Sequence, residues 1–281
     1  MSTDSAGQPF AGRELRESGF ADDRGDSDPR VLQALRALQA QPGNEREAAL
    51  LQTLAGTRLI VPVVTAPGGA QVWHHGGGDE DEHPAGGSGA GAGHHETPPP
   101  EVSGGAEMAT VVLTAPDGRR ALPVFTGVET MKVWDESARP VPVQALDVAR
   151  SSIEDGCDTM LLDLDSPHAA ALRLSHVWAL AQERTWQPGH ADQVVRLAVA
   201  EAAQGLAGLV RAEVEDGSQL HGPGVLRLVL LLRAGLSHEE VDHIVHSMGE
   251  ALARDPEVRI RVDDLAVVVH QAEAAAPNLA N

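Results

Sequence analysis

From Ala66 to Glu107 the chain has no apolar periodicity at all, running instead through GGGDEDEH and GGSGAGAGHHETPPP. A segment of glycine, histidine, proline and acid cannot bury enough apolar surface to offset the entropy of ordering it. Residues 66–107 are therefore expected to be a flexible insertion, and the fold has to be built from the sequence on either side. Residues 1–27, rich in Gly, Ser, Asp and Arg without an apolar pattern, are expected to be a disordered tail, and residues 271–281 a second tail. With 281 residues, 42% of them hydrophobic, the rest suffices for two ordinary domains, each with its own core.

The first domain is expected over residues 28–184. Asp28 and Pro29 supply a cap and a preset first turn for a helix with Val31, Leu32, Leu35 and Leu38 on one face, stopped at Pro42 and Gly43. Asn44 with Glu47 resembles a capping pair for a second helix striped by Leu50, Leu51 and Leu54, with Gly56 suited to a left-handed C-terminal position. RLIVPVV, residues 58–64, reads as a buried strand, with Pro62 pointing to an edge or a bulge. After the insertion, MATVVLT and RRALPVFT flank a two-residue turn, Asp117-Gly118, in which both residues tolerate positive φ. Thr126 and Glu129 suggest a capping box for a short helix through Met131 to Trp134. An extended ARPVPV, a helix from Gln144 to Asp155 and a strand CDTMLLDLD follow. Residues 166–183 read either as one helix or as a strand over Ala169 to Leu174 and then a helix capped by Ser175.

TWQPG, residues 185–189, reads as the linker, and residues 190–270 as a second domain. Its helix carries Val194, Val195, Ala198, Val199, Ala202 and Leu206. Its first strand alternates Val210, Ala212 and Val214 with Arg211, Glu213 and Glu215, so one face is wet. VLRLVLLL is a central strand, Ser237 with Glu240 caps a helix striped by Val241, Ile244, Val245, Met248 and Leu252, and LAVVV closes the sheet. The fold class is α+β: two small domains, each a mainly antiparallel or mixed sheet packed with helices, the second resembling an incomplete ferredoxin-like sandwich.

Several of these segments together carry a resemblance. The strand RLIVPVV, the hairpin DGRRALPVFTGVETMKVWD, the extended ARPVPV, the strand MLLDLD and the closing WALAQERTW make residues from about Leu50 to Gln187 similar to the N-terminal domain of the SseB family, in its actinobacterial form. The hairpin is the specific part. The resemblance implies an α+β fold and no agreed activity, cofactor or catalytic residue. The long Gly- and His-rich insertion departs from the family pattern.

Composition narrows the function further. With 41 acidic against 21 basic residues the formal net charge is -20, which repels phosphate backbones and anionic lipid. Three Phe, four Trp and no Tyr leave few platforms for stacking bases. Nucleic acid and membrane are therefore not expected partners. The single cysteine, Cys157, excludes an internal disulfide and is expected to pack rather than react. A polar N-terminus and the absence of a long apolar run make cytoplasmic residence the expectation.

Chemistry-bearing candidates are few. His74, His75, His83, His94 and His95, beside Asp79, Glu80, Asp81 and Glu82, could bind a divalent transition metal loosely, but they lack the fixed spacing of zinc motifs and read more simply as a solvated spacer. His238, Asp242, His243 and His246 share the polar side of a helix, although HEEVDH spaces its histidines by five rather than four. Asp163 and Asp165 are either paired carboxylates at a strand end or caps of the next turn. Neither a nucleophile elbow, a phosphate loop nor a dinucleotide fingerprint is present, so no catalytic residue and no cofactor are expected. Arg119, Phe125 and Trp134 form a candidate interaction surface beside the hairpin, although the two aromatics read more simply as core in a domain with few other large fillers. The leading expectation is a non-catalytic module binding an unknown protein partner. A metal-handling protein using the histidine insertion and a cryptic enzyme are the alternatives.

Overall fold

The computed structural model describes Phe20, residues 23–66 and residues 107–272. The chain folds as α+β, with three small sheets among the described residues. Residues 23–27, expected as part of the tail, are packed. Arg58 pairs with Asp23, and the Gly25 carbonyl accepts Val128 N–H at 2.8 Å. Gly25 has φ +81°, and a Cβ there would lie 2.4 Å from Val128, so only glycine fits.

Helix α1, Pro29–Ala40, starts as its sequence predicts, with Asp28 accepting Arg30 N–H at 2.8 Å. The cap expected for α2, Asn44–Leu54, does not form. Gly43 is the N-cap and offers no side chain, while Asn44 and Glu47 are turned to partners far along the chain. Gly56 is not left-handed either, because α2 ends through Ala55 in the ordinary right-handed region.

Strand β1, Arg58–Ala66, is the middle strand of its sheet, between β2, Glu107–Thr110, and β5, Arg139–Gln144. Pro62 is tolerated there because backbone groups alternate sides. Ile60 exchanges both its hydrogen bonds with Phe125, so residue 62 faces the same side. There the Phe125 bridge has ended and the pairing with β2 has yet to begin at Val63. MATVVLT is not one strand. It breaks at Val111 and Val112, and its end, β3, Leu113–Thr114, pairs instead with β4, Arg120–Val124. The hairpin turn also differs from the two-residue expectation. Gly118 N–H reaches Ala115 O at 2.9 Å and Ala115 N–H reaches Arg119 O at 2.8 Å, so Pro116, Asp117 and Gly118 form a three-residue loop. Only Gly118, at φ +85°, takes the left-handed position.

Helix α3, Val128–Trp134, begins after Gly127, whose N–H reaches Thr130 Oγ1 at 3.3 Å. The expected Thr126–Glu129 box is absent because the Thr126 hydroxyl is spent on Asp163. Helix α4, Ala145–Glu154, leads to β6, Thr159–Leu162, which lies parallel to β4. The ambiguous segment resolves into β7, Ala170–Leu172, and helix α5, Leu174–Ala181, whose N-cap is Arg173 rather than Ser175. One hydrophobic cluster extends from Val31 to Trp186, so the tryptophan inside the expected linker is a core residue.

The rest of the chain forms α6, Gln193–Ala202; β8, Leu209–Asp216; α7, Ser218–His221; β9, Val225–Leu232; α8, His238–Arg254; α9, Pro256–Arg259; and β10, Asp264–Gln271. Its sheet has the order β10-β9-β8 and is mixed: β8 is antiparallel to β9, and β10 parallel to it through the α8 crossover. Leu226, Leu228, Leu230 and Leu232 point to one face, and Leu228, Leu230 and Leu232 are buried beneath α6 and α8, each contributing roughly 1.5–3 kcal/mol. Val210 leaves the predicted alternation. The register slips between Leu209 and Arg211, which exposes Val210 and turns Leu209 toward the core. Ser237 and Glu240 form the capping box that their spacing predicts.

Candidate functional site

The stripe of α2 holds an acid. Glu47 stands at the same helical face as Leu50, Leu51 and Leu54, and its side chain is only 11% exposed. A carboxylate in that position needs a partner, and Arg173 supplies one in a two-pronged pair, Nη1 to Oε1 and Nη2 to Oε2, each 2.8 Å. The Arg173 Nε–H then donates to Asp263 Oδ2 at 2.8 Å. Burial would push the Glu47 carboxyl up, but the Arg173 fork and the neighbouring His176 hold it at about 2. Arg173 is itself raised: burial pulls it down, and its two carboxylates more than reverse that.

Helix α5 has no side-chain cap of its own. Asp263 fills that role from the far end of the chain, its Oδ1 accepting Ser175 N–H at 2.7 Å and its Oδ2 accepting the Ser175 hydroxyl at 2.9 Å. Trp186 Nε1–H donates to the same hydroxyl at 3.0 Å. His176, 2% exposed, stacks edge-on against Trp186 with ring centroids 4.6 Å apart. Its Nε2 lies 3.1 Å from Arg173 Nη2 and 3.6 Å from Glu47 Oε2. Burial lowers the pKa of His176, with Glu47 opposing. A second link, Asn44 Nδ2 to Asp216 Oδ2 at 2.9 Å, ties α2 to the end of β8.

The ensemble therefore joins the two halves of the chain. Serine, histidine and aspartate are all present, yet the Ser175 hydroxyl is bonded to Asp263 and Trp186, and His176 faces Glu47 and Arg173. A base-activated nucleophile needs the serine and imidazole bonded to each other, and here each is committed elsewhere.

Beside this junction lies a groove of about 480 Å³, lined by Arg119, Asp158, Arg173, His221, Asp263 and Asp264 among others. Arg119 reaches it from the hairpin. Its side chain is 73% exposed and held by Asp117 at 2.7 Å. Phe125 and Trp134, grouped with Arg119 in the sequence reading, lie elsewhere. Phe125 is fully buried, so it cannot meet a partner, and its ring stands 5.4 Å from that of half-buried Trp134 in a separate cluster with Ile60 and Met131.

Asp163 and Asp165 do not form a carboxylate pair. Both are left-handed, at φ 52° and 60°, but Asp163 is buried against Thr126 and Asp165 is exposed. Thr126 donates its N–H at 2.7 Å and its hydroxyl at 2.8 Å to Asp163, whose carboxyl burial nevertheless raises. Cys157 is buried and its thiol pushed up by that burial. On α8, His238 pairs with Asp242 at 3.4 Å and His246 with Glu250 at 3.2 Å, all at the surface. Among the described residues no group of three or more His, Cys, Asp or Glu could hold a metal. His74, His75, His83, His94 and His95 lie outside the described residues.

Sequence reading missed Glu47, Arg173, His176, Trp186 and Asp263 as a unit. One local signal was there: the spacing 47, 50, 51, 54 puts an acid on an apolar stripe.

No helix among the described residues is long and apolar enough to cross a membrane. Residues 31–179, just over half of the chain, match the family described as SseB protein N-terminal domain. No curated protein and no solved structure matches.

Proposed function

The chain belongs to the SseB family, and on that premise we propose that it is a non-catalytic interaction module whose protein partner docks on the groove around Arg119. The observation that carries this reading is the commitment of the junction. Arg173, Ser175 and Asp263 hold the two halves together, and His176 is packed beside them against Trp186. The groove beside them keeps Arg119, Asp158 and His221 as exposed polar handles.

A groove edged by both signs of charge suits a polypeptide segment, whose backbone and side chains offer donors, acceptors and either charge. Arginine is enriched at such interfaces. A net charge of -20 disfavours a polyanion in the same place.

The experiment is capture from native extract by the full chain, compared with Arg119→Glu and Asp158→Lys proteins shown by circular dichroism to be folded. The expected result is one protein captured by the wild type and lost from both variants. Identical capture by all three would remove the groove from the function.

A further inference from the structure

The edges of the sheets are unequally defended. An open strand edge offers unpaired backbone groups to another chain, and proteins blunt it with prolines, charges, bulges or short strands. Strand β5 carries Pro140 and Pro142, and β2, β3 and β7 have four residues or fewer. Strand β8 has the slip at Val210 and the charged run Arg211, Glu213 and Glu215. Strand β10 has neither proline nor bulge, and its one acid, Asp264, stands at its start. It is eight residues long, in unbroken register with β9 from Asp264 to Gln271, and exposes Val267 and Val269.

Its outward groups can be identified. Ala272 N–H donates inward to Leu232 O at 2.7 Å, so the even-numbered residues face β9 and Leu265, Val267 and Val269 present N–H and C=O to the open edge. Accordingly, among the described residues Leu265 N–H has only the neighbouring Asp264 carboxylate, at 2.7 Å.

We propose that β10 pairs antiparallel with β10 of a second copy of this chain, about a two-fold axis at Val267, to make a continuous six-stranded sheet. The strand is self-complementary in that register. Val267 meets Val267 of the second copy, Leu265 meets Val269, Ala266 meets Val268, and Asp264 at one end meets His270 at the other. The bonded pairs are the odd-numbered ones, whose groups face outward. Asp264 and His270 form a non-bonded pair, in which side chains approach most closely. On pairing, Leu265 N–H exchanges the Asp264 carboxylate for a main-chain carbonyl, freeing that carboxylate for His270. A two-fold contact of this kind closes on itself and builds a dimer, not a fibre.

Sedimentation of the full chain from about 1 to 100 µM at physiological ionic strength tests this, since that range brackets modest affinities. The wild type is expected to pass from monomer to dimer. Val267→Lys, which sets two ammonium groups face to face on the axis, is expected to weaken the dimer by about tenfold or more. Independently of that variant's folding, a Val267→Cys protein should cross-link to itself through a short thiol reagent. Val269→Cys alone should not, while mixed Val269→Cys and Leu265→Cys proteins should. A wild type that stays monomeric, a dimer indifferent to Val267→Lys, or no self-cross-link at 267 would overturn the proposal. In that case β10 is covered by another segment of this chain, such as residues 273–281, or by a different protein.

Discussion

Asp263 caps helix α5 through Ser175, 88 residues earlier: its Oδ1 accepts Ser175 N–H at 2.7 Å, where α5 has no side-chain cap of its own. The same carboxylate receives Arg173 and the Ser175 hydroxyl, so one side chain of the second half satisfies three donors of the first.

Removing that carboxylate leaves the Arg173 Nε–H and the N–H of Ser175 at a helix N-terminus without their acceptor. Asp263→Ala is expected to destabilise the protein by roughly 3 kcal/mol, the scale for losing one partner of a buried ion pair. Asp263→Asn keeps an acceptor and should cost less. Urea denaturation followed by circular dichroism measures both.

Acid should loosen the junction in two stages. The fold lowers the pKa of His176, so protons bind the unfolded chain more readily and stability begins to fall as pH drops below about 6.5. Glu47, held at about 2, contributes stability above its ordinary value near 4.3 that is lost as pH falls toward 2. The midpoint of urea unfolding against pH should show both, and Glu47→Gln should reduce the lower stage without abolishing it, since Asp23, Asp28 and Asp216 are also held below their ordinary values. A midpoint that stays level from neutrality down to pH of about 3 would refute this account.

Thr126→Val takes from the buried Asp163 the hydroxyl bonded to its Oδ2. The expected loss is about 1.5–3 kcal/mol near neutrality, as for a hydrogen bond to a charged group. Because Asp163 has a raised pKa, its protonated form suits the fold, and the stability tied to it is lost as pH rises through that value. The penalty of the variant should therefore shrink on acidification, which unfolding at two pH values resolves.

Gly118→Ala isolates a backbone cost. A Cβ at Gly118 meets nothing within 4 Å, so only the left-handed φ of +85° opposes it. About 1–2 kcal/mol of destabilisation is expected. A thermal shift no larger than that of Asp117→Ala would mean that the loop relaxes to another turn.

Much of the architecture was legible because it is local. The α1 cap at Asp28, the Ser237–Glu240 box and the every-second-residue leucines of β9 each follow from a few consecutive residues. The misplaced caps share a cause. Asn44, Glu47, Thr126 and Ser175 were read as helix caps on local spacing, and each is turned instead to a partner distant in sequence: Asp216, Arg173, Asp163 and Asp263. A cap competes with any other acceptor or donor within reach, and reach is set by packing. Of the proposed interaction residues, Arg119 stands on a groove, whereas Phe125 is fully buried, which hydrophobicity alone left undecided.

By itself the sequence determined the α+β class, most of the elements and the hairpin, since the 3.6- and 2-residue periods and the needs of turns are properties of short stretches of backbone. Only the tertiary structure decided that Glu47, Arg173 and Asp263 form one junction, that Trp186 is core and that β10 is an edge strand among the described residues. Those facts depend on which surfaces lose water together, and a buried charge finds its partner only after the elements carrying both have docked.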